Sequence, residues 1–231
     1  MKLTKVAVIG VASVLFLGLN GYGLPGDQGG DKKTTVEDSV ILNTNEDVTN
    51  LAIENSKINS GIEAKGADIK GSVLLNENKD VTNLAIDNSK INSGIQANNA
   101  EIKDSVLLNT NEGVTNLAIS NSKINSGIEV NDSKVEGSVL LNENKNVTNL
   151  AIDNSKINSG IEANNADIKD SVLLNTNEDV TNLAISNSKI NSGIKANNAD
   201  IKGSVILNEN KNVTNLAIEG SEINSGVNLG D

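Results

Sequence analysis

The chain has 231 residues and a formal charge of −11, with no Cys or His, no Trp, and only one Phe, one Tyr and one Pro. Without cysteine there is no disulfide and no thiolate metal site, and without histidine a nucleophilic serine lacks its usual base. The acidic balance speaks against nucleic-acid binding, and with no aromatic residue beyond Tyr22 any core must come from Ile, Leu, Val and Ala.

At the N-terminus Lys2 and Lys5 precede an apolar run from Val6 to Leu19. A membrane-spanning helix needs about 20 such residues, so the run is short for one. A basic start, a short apolar stretch and the small-residue site Gly21-Tyr22-Gly23 describe a secretory signal peptide over 1–23; an uncleaved anchor is the alternative. The expected location is therefore secreted, extracellular or on a bacterial cell surface, with no membrane contact after cleavage. Residues 24–34, LPGDQGGDKKT, read as a flexible Gly-rich linker, and 35–231 as the repeat domain.

From there the same phrase, SVxLNxNxxVTNLAIxNSxINSG, opens at Ser39, Ser72, Ser105, Ser138, Ser171 and Ser204, always 33 residues apart. Within it, Asn83-Leu84-Ala85-Ile86-Asp87-Asn88-Ser89 resembles Asn99-Ala100-Glu101-Ile102-Lys103-Asp104-Ser105. Aligning the shared aliphatic gives Val36, Ile53, Ile69, Ile86, Ile102, Ile119, Val135, Ile152, Ile168, Ile185, Ile201 and Ile218, at gaps of 17 and 16. Alternation at period two, with Asn, Ser and Gly between short apolar runs, argues for half-buried strands and turns. The reading is all-β, a parallel β-solenoid of about twelve 16–17 residue coils with a 33-residue two-coil repeat. At ~4.8 Å per coil that makes a rod of roughly 55 Å. Within a coil the inward candidates alternate, as at Leu51 and Ile53, Ser56 and Ile58, and Ile62 and Ala64.

Stacking turns sequence positions into rows. Asn59, Asn92, Asn125, Asn158, Asn191 and Asn224 form one, and Asn43, Asn76, Asn109, Asn142, Asn175 and Asn208 another, read either as amide ladders along the axis or as residues that tolerate corners. Val73 and Leu75, Val106 and Leu108, Val139 and Leu141, and Val172 and Leu174 point outward in alternate coils. They make a broken apolar stripe, either a contact surface or a strip beneath the NxNxxVTN segment. Glu46, Lys79, Glu112, Lys145, Glu178 and Lys211 alternate in charge along the repeat.

No catalytic constellation is present, since every Ser, Lys and acid is one of many near-copies; no enzyme activity, cofactor or metal is expected. The calcium-binding nonapeptide of β-rolls is absent. The ends are the remaining feature. Neither the first nor the last coil carries a helix, proline or atypical cap, so Val36, Ser39 and Ile41 at one end, and Ile218, Ile223 and Val227 at the other, are candidate self-association edges. In the two-coil register end-to-end docking continues the Glu46/Lys211 row but sets Glu219 against Glu37.

The opening MKLTKVAVIG, with Asn98-Asn99-Ala100-Glu101-Ile102, Asn164-Asn165-Ala166-Asp167-Ile168 and Asn197-Asn198-Ala199-Asp200-Ile201, resembles curli-type (curlin repeat) amyloid subunits. The family's glutamine ladder and G-x-G turn are missing. The resemblance implies a secreted subunit that polymerises into extracellular, biofilm-matrix fibres. The functional expectation is thus a secreted structural protein assembling head to tail with itself; the alternative is a monomeric adhesin or surface-binding rod whose partner is a cell-surface or matrix component.

Overall fold

The computed structural model describes residues 6–17 and 34–229. The described residues form strands, turns and bends with no helix. The expected cleavage site at Gly21-Tyr22-Gly23 and nearly all of the expected linker lie outside them.

The first strand, β1 (Val6–Leu17), precedes the repeats. The first turn then holds β2 (Thr34–Glu37), the long β3 (Val40–Ile53), β4 (Lys57–Asn59) and β5 (Ile62–Lys65). The second turn has five strands: β6 (Ala67–Lys70), β7 (Val73–Lys79), β8 (Thr82–Ile86), β9 (Lys90–Asn92) and β10 (Ile95–Asn98). This set recurs as β11–β15, β16–β20 and β21–β25. The last turn is β26 (Asp200–Lys202), β27 (Val205–Lys211), β28 (Thr214–Ile218), β29 (Glu222–Asn224) and β30 (Val227–Asn228).

Every pairing between repeats is parallel, and each partner lies 33 residues away: Ile62 with Ile95, Ile69 with Ile102, Leu74 with Leu107, Leu84 with Leu117. The β6, β9 and β10 positions each stack into a six-stranded sheet. The β7 and β8 positions both stack on the continuous β3 and so join one twelve-stranded sheet. The protein is therefore a parallel β-solenoid, but its coil is the whole 33-residue repeat, in six turns rather than twelve. At ~4.8 Å per turn the rod is about 29 Å long, half the length expected from the sequence.

The two halves of the repeat fail to stack on each other because their side chains are out of phase. In β8, Asn83 and Ala85 are buried while Leu84 and Ile86 are half-exposed; in the matching half, Ala100 and Ile102 are buried and Glu101 and Lys103 face out. A one-residue slip exchanges the faces of a strand. Likewise Leu51 and Ile53 point outward, and Asn50 and Ala52 point inward.

The interior holds three apolar columns. The largest stacks Leu74, Ile95, Ala97, Ala100 and Ile102 with their counterparts; a second stacks Ala85 and Ile91; a third is the Val48, Val81, Val114, Val147 and Val180 column. Corners between strands take left-handed backbone, mostly at Asn and Asp, as at Asp80 (φ 52°) and Asn88 (φ 59°). These residues tolerate that region best after glycine.

At the Ser-Gly corner glycine is required for another reason. A Cβ on Gly127 would overlap the carbonyl oxygen of Gly160 in the next turn, whereas one on Gly66 would meet nothing within 4 Å. Gly127→Ala is therefore expected to cost ~2 kcal/mol or more in chemical denaturation. Gly66→Ala, strained only by its φ of 57°, is expected to cost about 1 kcal/mol. Equal losses would contradict the close packing of turns at this corner.

Candidate functional site

Four asparagines of a repeat, as at Asn76, Asn78, Asn83 and Asn92, are buried, and their amides bond along the axis. Asn78 Nδ2 donates to Asn111 Oδ1 at 2.8 Å, Asn111 to Asn144 at 2.8 Å and Asn144 to Asn177 at 2.8 Å. Parallel columns run through Asn76, Asn109 and Asn142, and through Asn83, Asn116 and Asn149. The same amides also reach across the interior. Asn109 and Asn111 both donate to the carbonyl of Ser126, at 2.6 and 2.8 Å, and Asn116 donates to Ser126 Oγ at 2.8 Å. A carbonyl oxygen accepts only from Nδ2, so Asn109 and Asn111 each have one permitted orientation, whereas the hydroxyl that Asn116 meets can donate as well as accept. The ladders therefore have polarity: Nδ2 points toward the C-terminal end, Oδ1 toward the N-terminal end.

The Asn59 row is also a hydrogen-bonded ladder, of opposite sense: Asn92 donates back to Asn59 and Asn125 back to Asn92, each at 2.8 Å. The structure thus makes this row an axial ladder, and it adds the Asn45 and Asn50 columns. The LNxN and TN phrases signalled those columns, but nothing in them says which side faces inward.

Drawing the Ser-Gly corner toward the asparagine wall dents the outside of the rod. The resulting groove has a floor that includes Asn92 and Asn125, and a cleft of about 340 Å³ is lined by Lys57, Lys90, Lys123, Glu63, Gln96 and Glu129. Lys123 pairs with Glu129 at 2.6 Å and Lys156 with Glu162 at 2.5 Å; these two glutamates are 3% and 2% exposed. Among the described residues Lys57 and Lys90 have no ion pair. The groove is a cationic strip on an acidic rod.

The Val/Leu pairs stand in columns of adjacent turns, Val73 on Val106 on Val139 and Leu75 on Leu108 on Leu141. The stripe is therefore unbroken, a correction that follows from the 33-residue coil. Its members are half-buried, and the Leu84 and Ile86 columns extend it onto the next face. The NxNxxVTN segment does not cover it; that segment continues the coil through Val81 into β8.

The two ends differ. At the N-terminal end β1 lies antiparallel along β3, from Val6 opposite Ala52 to Leu17 opposite Val40. The expectation of an uncovered first coil fails for this strand: the apolar run that reads as a leader also has the β-branched composition of an edge strand. Beside it, a largely apolar cavity of about 400 Å³ opens between Val36, Ile41, Ile62, Ala64, Ala67 and Leu74. Val36, Ser39 and Ile41 are half-buried there. At the C-terminal end Val205, Leu207, Leu216, Ile218, Val227 and Leu229 are exposed, between 40% and 54%, and Ile223 is half-buried.

No protein-family model matches the chain, and no curated protein matches it. Among solved structures it is similar to the Streptococcus pneumoniae surface protein and adhesin PfbA, at 11% identity and a TM-score of 0.19, over 82% of this chain and 66% of that one. A second PfbA structure matches at 9% identity and a TM-score of 0.14, over 68% and 62%. The pentapeptide repeat protein HetL from the cyanobacterium Nostoc matches at 11% identity and a TM-score of 0.13, over 80% and 88%. The chain spans just under two thirds of the PfbA structures, and likeness at these scores carries no functional argument.

Glu129 supplies a pH test of the groove. Burial alone would raise its pKa, but the charge and hydrogen bond of Lys123, with a hydrogen bond from Asn131, hold it below the ordinary glutamate value. A depressed folded value means the pair stabilises fully above about pH 4.3 and loses that contribution as pH falls through the folded pKa. Glu129→Gln is expected to flatten the decline of urea midpoint below about pH 4.3. An unchanged pH slope would show that the pair does not contribute.

Proposed function

We propose that this protein is a secreted structural rod whose copies join end to end into an extracellular fibre. One observation carries the reading. Val227 and Leu229, whose columns are buried inside the stack, are exposed on the last turn, and the first members of those columns, Ile62 and Ala64, line an apolar cavity of about 400 Å³ at the other end. A contact between unlike faces of identical subunits repeats without closing. The leader-like N-terminus, the acidic charge and the curli-like N-x-A-x-I phrases support the same reading. Electron microscopy of residues 24–231 at rising concentration tests it. Filaments that lengthen with concentration are expected; single-length rods at every concentration would overturn it.

A second reading is a monomeric adhesin or surface-binding rod, favoured by the unbroken aliphatic columns. Changing Val73, Leu75, Val106 and Leu108 to Thr is expected to leave filaments intact. If filaments persist while attachment to a cell surface is lost, the aliphatic face is the adhesive one.

A further inference from the structure

We propose that the outer edge of β3 is a shared docking edge: β1 holds it in cis, and the β27–β28 edge of a second copy takes it in trans, so the rods join only when β1 has left. The inference rests on the end-to-end reading above and adds its register and its gate.

A strand has two edges. One edge of β3 is taken by β7 and β8, and the other by β1 along almost its whole length. A second copy needs that same outer edge. β1 suits it imperfectly. It pairs with the β3 backbone, yet Asn45 Oδ1 and Asn50 Oδ1 remain buried without a hydrogen-bond partner. In the interior turns the equivalent oxygens each accept from the amide one turn before, as Asn78 Oδ1 does from Asn45.

The missing donors sit on the opposite end of the rod. Asn210 Nδ2 bonds Ser225 O and Asn215 Nδ2 bonds Ser225 Oγ, both at 2.6 Å. Each keeps a second N–H with no ladder partner among the described residues. Placing β27 and β28 of one copy before β3 of another sets Asn210 on Asn45 and Asn215 on Asn50. The counter-running ladder also continues, with Asn224 Oδ1 facing Asn59 Nδ2. Because the Ser carbonyls dictate amide orientation in the Asn76 and Asn78 columns, a contact between two C-terminal ends would oppose donor to donor there and one between two N-terminal ends acceptor to acceptor; the head-to-tail joint, C-terminal end on N-terminal end, continues all the ladders.

Charge follows the same register. The joint sets Lys202 on Glu37, Lys211 on Glu46 and Glu222 on Lys57, matching the interior pairs Lys70–Glu37 at 3.9 Å and Lys79–Glu46 at 3.1 Å. The Glu219–Glu37 clash of the two-coil register disappears; Glu219 meets Glu54 instead, a like-charge contact of the kind Glu54 and Asp87 already make. Apolar shape agrees as well. Leu229, 54% exposed, stands in the column of Ala64, Ala97, Val130, Ala163 and Ala196, so its extra bulk faces the N-terminal cavity.

The chain has no cysteine of its own, so β1 can be pinned by one engineered disulfide. Ala7 and Leu51 are opposite residues of the β1–β3 pair, within the usual Cα separation for a bridge. The full chain carrying Ala7→Cys and Leu51→Cys is followed by light scattering and microscopy, oxidised and reduced, beside unlocked residues 24–231. The expected result is at least tenfold slower assembly when oxidised, recovery on reduction, and the fastest assembly without β1. Equal rates oxidised and reduced would overturn the gate while leaving the fibre reading standing. No assembly in any of the three samples would overturn the fibre reading itself. Leu229→Asp, which alters only an exposed side chain, is expected to abolish joining with the single rod still folded; unchanged filaments would overturn the proposed register.

Discussion

The buried amides of this solenoid are satisfied along the axis by other amides one turn away. Desolvating an unpaired amide costs about 1–3 kcal/mol, and the Asn109, Asn111 and Asn116 side chains are fully buried. Each is paired above, below and across the rod to Ser126. This arrangement tolerates no drift in sequence: a column works only if every turn carries Asn at that position. The strict recurrence of Asn, Ser and Gly at 33 residues is the imprint of that requirement, and the coil length follows from it. The column lining the groove answers to no such rule, and there Glu, Gln, Lys and Asn exchange freely, as at Glu63, Gln96, Glu129, Glu162, Lys195 and Asn228.

The same network shapes the surface. Holding the Ser-Gly corner against the asparagine wall divides the interior into separate apolar columns and leaves the lysine groove outside. It also leaves glycine as the one residue whose neighbour in the next turn fits, since the carbonyl of Gly160 occupies the place of a Gly127 side chain. Polarity of the ladders then makes the two ends chemically different: the Asn76 and Asn78 columns present acceptors at the N-terminal end and donors at the C-terminal end, and the Asn59 column the reverse.

Much of this was legible in the residues. Period-two alternation, corner residues and the 33-residue recurrence point to a parallel β-solenoid, and the Asn59 row shows as a column at once. The length of the coil was not legible, because NLAIDNS and NAEIKDS look alike as text while presenting opposite phases to the core. Only pairing partners reveal that slip. The buried face of LNxN was likewise hidden, since Asn is ordinarily an exposed residue and its burial here depends on a serine carbonyl 15 or 17 residues on. The edge role of Val6–Leu17 was obscured because an apolar leader and an edge strand share a composition.

The claim that stacked amides hold the coil together is tested most directly at Asn144, in the middle of the rod. Leucine there has similar size but neither donor nor acceptor, so Asn111 loses its acceptor and Asn177 its donor. With two buried groups orphaned at ~1–3 kcal/mol each, unfolding free energy by chemical denaturation is expected to fall by about 3 kcal/mol or more. A change within ~0.5 kcal/mol, the range of an ordinary surface substitution, would contradict it.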